Sequence, residues 1–173
     1  MVTRIADLLL KFKAIEFGDF TLASGMKSSF YVDVKSAVTH PELLAEIASE
    51  VTKNHEFDVI AGVAVGGVPL AVAVSLASRK PYAIIRAAAK SHGKKDVIIG
   101  GVAGKKVLLI EDVTTSGGSA LYGIDALRSA GAVADRVITV VDREQGAESS
   151  LAEHGIRLIP LVRISEIRKA QDF

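Results

Sequence analysis

The sequence predicts an α/β protein built on a doubly wound, mainly parallel sheet, and three observations predict it. Aliphatic runs such as "VIAGVAV" (Val59 to Val65) and "VLLI" (Val107 to Ile110) are continuous rather than alternating, as in strands covered on both faces. Segments with helical spacing separate these runs, so strands and helices alternate along the chain. At 173 residues and 49% hydrophobic content, the chain is long enough for one domain with a sizeable core.

The elements follow in order. "IADLLLKF" sets Ile5, Leu8, Leu9 and Phe12 at helical spacing and predicts an amphipathic first helix. "FTLASGMKSSFYVDVK" carries two short extended pieces around Gly25, with Phe30, Val32 and Val34 alternating against Tyr31, Asp33 and Lys35. Residues 1–38 or so therefore read as a helix and an antiparallel flap that form part of a hood. Pro41 suits a first helical position, and Leu43, Leu44, Ile47 and Val51 form one face of the helix it opens. Then come a strand at Val59 to Val65, a helix at Val68 to Ser78, and strands at Tyr82 to Ile85 and Val107 to Ile110. A helix from Ser119 to Ala130 ends at Gly131, and strands at Val137 to Val141 and Leu158 to Val162 flank a short helix near Ser149 to His154. No repeat or linker divides the chain, so residues 1–173 read as a single domain.

Composition excludes several classes. With no cysteine there is no disulfide scaffold, thiol catalysis or thiolate zinc site. No apolar run reaches the roughly 18 residues that span a bilayer, and "MVTRIADLLLKFK" lacks a signal-peptide core, so a soluble cytoplasmic protein is expected. A formal charge of +1 gives no global field for nucleic acid, which makes any anion site local.

The most informative segment is "EDVTTSGGS", Glu111 to Ser119, between a strand and a helix. Its glycines let backbone N–H groups converge, its hydroxyls add donors, and the positive end of the following helix favours a phosphate. Glu111 and Asp112, at the strand's end, are expected to project toward hydroxyls or a hydrated metal beside that phosphate. A sugar phosphate fits better than a bare phosphate. The segment lacks the closing Gly-Lys-Ser/Thr of a Walker A loop and does not match G-x-G-x-x-G.

Four hydrophobics, two acids and "VTTSGGS" resemble the phosphoribosyl pyrophosphate (PRPP) motif of type I phosphoribosyltransferases. "FGDFTLASGMKSSFYVD", "VVDREQG" (Val140 to Gly146) and "RAAAKSHG" narrow the resemblance to the orotate phosphoribosyltransferases, over almost the whole chain. The resemblance implies transfer of phosphoribose from PRPP to orotate, with magnesium held mainly by PRPP rather than directly by the protein. It implies that Val113 and Thr114, Thr115, Ser116, Gly117, Gly118 and Ser119 hold the ribose phosphate, while Glu111 and Asp112 face the ribose hydroxyls. Arg86, Lys90 and His92 then contact the pyrophosphate, and Thr115 and Arg143 bind orotate. Lys90, His92 and Asp112 are the catalytic candidates, with Lys27, Tyr31, Gly66 and Gly67 as further site candidates.

The resemblance also implies a cis bond between Ala64 and Val65, and a homodimer in which the Lys90 loop of one chain completes its neighbour's site. The polar stretch from Lys90 to Gly104 agrees with that sharing. Gly93, Gly100 and Gly101 are candidate hinges for the loop. Ala23 and Gly66 stand where many relatives carry PRPP-binding lysines, and Ala87 and Ala88 replace a Lys-Glu pair common in the loop. Backbone amides of Gly66 and Gly67 are left to face the pyrophosphate. A purine phosphoribosyltransferase of the same fold and a non-catalytic PRPP-sensing regulator are the alternatives; "VVDREQG" argues against the first, and the lack of a DNA-binding appendage or basic face against the second.

Overall fold

A computed structural model describes residues 3–87 and 97–171 of the chain. Helix α1 (Arg4–Lys11) buries Ile5, Leu8 and Leu9, and Thr3 caps it by accepting from the Ala6 N–H at 3.3 Å. Strands β1 (Ile15–Thr21) and β2 (Lys27–Val32) pair antiparallel as a flap, with a register shift between Phe17 and Phe20. The expected alternation stops at Val32. Val34 does not continue β2, because Asp33 accepts from the Ser36 N–H and hydroxyl at 3.1 and 2.7 Å and so starts a short helix, α2 (Val34–Ala37).

The remainder alternates as expected: α3 (Pro41–Asn54), β3 (Val59–Val63), α4 (Gly67–Ser78), β4 (Tyr82–Ile85), β5 (Ile98–Ile99), β6 (Val107–Thr114), α5 (Gly118–Ser129), β7 (Arg136–Asp142), α6 (Ala147–Ala152), β8 (Arg157–Arg163) and α7 (Ile164–Gln171). The six-stranded sheet runs β5-β4-β3-β6-β7-β8, parallel except where β5 meets β4. Besides α2, two elements are additions to the sequence reading. β5 has only two residues, and α7 carries a charged face that gives no long apolar stripe.

Both sheet faces are covered. Ile60, Leu108, Ile110, Ile138 and Val140 pack under α1, α3, α4 and α7, while Val59, Ala61, Leu109 and Val137 pack under α5 and α6. The N-terminal segment adds Ile5, Leu9, Ile15 and Phe30 to the first of these cores, so the hood and sheet share one apolar interior. Each fully buried aliphatic side chain contributes about 1.5–3 kcal/mol.

The position of the crevice follows from strand order. The chain moves from β3 outward to β4, then returns to β6 on the other side of β3, so the winding reverses between β3 and β6. Loops leaving the carboxyl ends of those two strands diverge there and leave a cleft.

Candidate functional site

Two helix N-termini converge on the cleft. After β3 the peptide between Ala64 and Val65 is cis, and α4 begins at Gly67 without a side-chain cap. A Cβ on Gly62 would overlap the Gly67 carbonyl, and one on Gly67 would lie 2.8 Å from the Ile110 carbonyl oxygen, so glycine lets α4 settle onto the central strands. After β6, Gly117 adopts φ +88 and α5 starts, again without a side-chain cap. The first intrahelical bond of α5 is from Leu121 to Gly117, which leaves the preceding N–H groups turned toward the cleft.

Strand β6 is longer than the sequence suggested. It runs through Thr114 because its neighbour β7 continues to Asp142 and pairs with it, so Glu111 and Asp112 lie within the strand, not beyond it. Successive strand residues face opposite ways. Glu111 sits under the first turn of α5 and accepts from the Ser119 hydroxyl at 2.9 Å, whereas Asp112 faces Gly66 and accepts from the Lys35 ammonium at 2.7 Å. Burial pushes the Glu111 carboxyl up to about 7, with the neighbouring Asp112 adding to the rise and the Ser119 bond opposing it.

Thr114 is buried and donates to Asp142 Oδ1 at 3.1 Å. Two backbone bonds lock the loop after β7 to the loop after β6: Arg143 N–H to the Thr114 carbonyl at 3.0 Å, and Ala147 N–H to the Thr115 carbonyl at 3.1 Å. Thr115 and Arg143 therefore share one wall of the cleft. The Arg143 guanidinium lies 4.9 Å from the Phe30 ring centre, and its Nε is buried with no hydrogen-bond partner among the described residues. Thr115, Ser116, Gly118 and Ser119 are exposed along the loop, while Val113 is half-buried and Gly117 buried.

Arg86 leaves the end of β4 on the same side of the sheet. Its N–H donates to the Val97 carbonyl at 2.8 Å, its own carbonyl accepts from the Tyr122 hydroxyl at 2.9 Å, and its Nε has no partner among the described residues. Lys90, His92 and Gly93 lie outside the described residues, as does Ala88. Lys27 is exposed and donates to Thr21 Oγ1 at 3.0 Å, and Tyr31 packs its ring 5.8 Å from Phe20. Strand alternation turns Tyr31 to the face opposite Phe30, so Phe30 rather than Tyr31 is the aromatic ring against Arg143.

Three neighbours of the site were not singled out from sequence. Lys35 was named only as one of the residues alternating against Phe30, Val32 and Val34; its spacing of two from the Asp33 cap was the available signal. Phe30 was named only in the flap's alternation. Arg168 belongs to the unpredicted α7; it donates to Ser29 Oγ at 2.8 Å and lies 5.7 Å from the Phe30 ring.

A cleft at the winding reversal, two uncapped helix starts and a pair of strand acids define the class: this is the fold and site of a phosphoribosyltransferase, and residues 34–154 match the family model for the phosphoribosyl transferase domain. Over 167 residues the chain is 67% identical to the orotate phosphoribosyltransferase of Methanocorpusculum labreanum, covering 96% of this chain and 99% of that one. The chain belongs to the orotate phosphoribosyltransferase family. Among solved structures, the Mycobacterium tuberculosis orotate phosphoribosyltransferase in complex with Fe(III) dicitrate superposes with a TM-score of 0.81 at 30% identity, over 94% of this chain and 98% of that one. The same enzyme in complex with PRPP gives a TM-score of 0.69 at 30% identity, over 79% and 82% of the two chains.

Proposed function

We propose that the protein transfers the 5-phosphoribosyl group from PRPP to orotate, giving orotidine 5′-monophosphate and pyrophosphate in pyrimidine synthesis. The observation that carries this reading is the pair of backbone bonds that join the Arg143 loop to the Thr115 loop, setting a carboxylate-matching fork beside a phosphate cradle. In this reading the open amides at the start of α5 and the hydroxyls of Thr115, Ser116 and Ser119 hold the ribose phosphate, while Thr114, expected from the motif to join them, spends its buried hydroxyl on Asp142 and braces the loop instead. Glu111 and Asp112 orient the ribose hydroxyls. The amides of Gly66 and Gly67, with Arg86, Lys90 and His92, face the pyrophosphate, and Arg143 with Thr115 takes the orotate carboxylate side.

Cleavage of the bond between the anomeric carbon and pyrophosphate puts positive charge on the ribose ring and negative charge on the leaving group. The protein's contribution is accordingly positioning and electrostatic stabilisation. Among the described residues no group of three or more acidic, histidine or cysteine side chains clusters as a metal cage. Glu111 and Asp112 face opposite ways from β6 and do not form a two-carboxylate cage, which fits a magnesium ion held chiefly by water and substrate oxygens. When bound, that ion neutralises the diphosphate. The reading includes a cytoplasmic enzyme and a homodimer in which the loop carrying Lys90 reaches the neighbour's cleft; no helix among the described residues is long and apolar enough to cross a membrane.

The test is orotate absorbance followed with PRPP and magnesium, with adenine and hypoxanthine in parallel. Loss of orotate absorbance with neither purine consumed is the expected result. Consumption of a purine in place of orotate would assign the site to purine salvage.

A further inference from the structure

Asp112 is nearly sealed from solvent, its side chain 8% exposed, whereas the Lys35 side chain that donates to its Oδ2 at 2.7 Å is 61% exposed. Backbone closes the carboxyl's other flank, since a Cβ on Gly66 would lie 2.5–2.6 Å from Cγ and both oxygens. Lys35 thus stands between solution and this carboxylate. Its own stem is aimed by the Asp33 cap on Ser36, which fixes the first turn of α2. Among the described residues it is the one cation paired with Asp112. The Asp112 contact, first, holds the Lys35 ammonium more firmly charged than usual.

A hydroxyl that reaches Asp112 from the cleft competes with Lys35 for a carboxylate that Gly66 crowds on its other flank, and taking Oδ2 releases the ammonium. The released ammonium is on a flexible four-carbon stem and must find another anion or be solvated alone. The substrate brings that anion. We infer that Lys35 is a further PRPP-binding residue, paired with Asp112 in the free enzyme and passed to the diphosphate when a ribose hydroxyl takes its place. No bond or proton changes hands; one ion pair replaces another. The inference rests on the proposed use of PRPP with orotate.

Lys35→Gln and Lys35→Arg, each also in an Asp112→Asn background, separate a substrate contact from a counter-ion. The expected result is a KM for PRPP raised about tenfold or more by Lys35→Gln, the size of a lost charge-assisted hydrogen bond, with the KM for orotate little changed and Lys35→Arg restoring most of the loss. In the Asp112→Asn background, calorimetry should still find PRPP bound more weakly when Lys35 is replaced. An unaltered KM for PRPP, or a loss seen only when Asp112 is present, overturns the inference. Should Lys35→Gln not fold, wild-type protein is treated with an amine-acylating reagent and Lys35 is followed by mass spectrometry. Saturating PRPP should slow its modification about fivefold, the mark of an ammonium held by phosphate, and an unchanged rate overturns the inference equally. Failure of the wild type to consume orotate strikes the proposed function instead, because PRPP binding and Lys35 protection are read without orotate.

Discussion

At Arg143 the ring of Phe30 packs against the planar fork, whose buried Nε has no partner among the described residues. Lysine has three donors, but all on one rotating nitrogen, so it cannot present the planar two-nitrogen fork. Arg143→Lys should therefore weaken orotate binding by about 1–3 kcal/mol while PRPP binding stays nearly intact, read from the two KM values; equal weakening of both would remove the assignment. Glu111 makes a prediction of the opposite kind. Its carboxyl titrates at about 7 in the folded protein against an ordinary 4.5, so the folded state holds this proton more tightly than the unfolded chain does. The stability associated with it is complete below pH 4.5 and is lost as pH rises through about 7, by roughly 3 kcal/mol in all. Glu111→Gln should then be more stable than wild type at pH 8 and nearly equal to it at pH 4.5, measured by urea unfolding. A constant difference between the two pH values would mean that the burial cost is not electrostatic.

Helix α5 shows how an element depends on its entry. Gly117 turns the chain at φ +88, and a Cβ there would approach Ala147 at 3.3 Å, so Gly117→Ala strains the turn and pushes on α6 together. The left-handed turn alone costs about 1–2 kcal/mol. We expect a lowered Tm and a KM for PRPP raised more than that for orotate; a normal KM for PRPP in the folded variant would detach this turn from phosphate binding. The turn itself was legible, because four hydrophobics, two acids and "VTTSGGS" together are far more specific than a Gly/Ser turn alone. The length of β6 was not, since Glu111 and Asp112 look like the end of a strand until β7 is seen to pair past them. β5 was too short for periodicity to reveal, and α7 too charged. The flap's end was misread because Asp33 satisfies an alternating pattern and a helix cap equally well. The motif loop that lines the cleft was therefore visible in sequence, whereas Lys35, Phe30 and Arg168 reach the cleft through tertiary packing that no local pattern encodes.

For the whole molecule, the proposed sharing of the Lys90 loop predicts complementation. Lys90→Ala and Asp112→Asn should each be nearly inactive. In a hybrid dimer one site receives both intact residues and the other receives both defects, so equal mixing recovers about a quarter of wild-type activity, half the dimers having one good site in two. No recovery after confirmed subunit exchange would return the loop to its own chain's site. The sheet order has a consequence for breathing motions. Both loops of the cleft spring from β3 and β6, the two central strands, each hydrogen-bonded on both sides, while two-residue β5 lies at one edge. Amide protons of Leu108, Leu109 and Ile110 should then exchange with solvent only when the entire molecule opens, and those of Ile98 and Ile99 by fraying. The strands that carry the cleft's loops then loosen only with the sheet as a whole. A ligand seated there at a hundred times its Kd should slow exchange at the sheet's centre by its full linkage free energy, about 2.7 kcal/mol, so that occupancy of the site is recorded in the most protected protons of the protein.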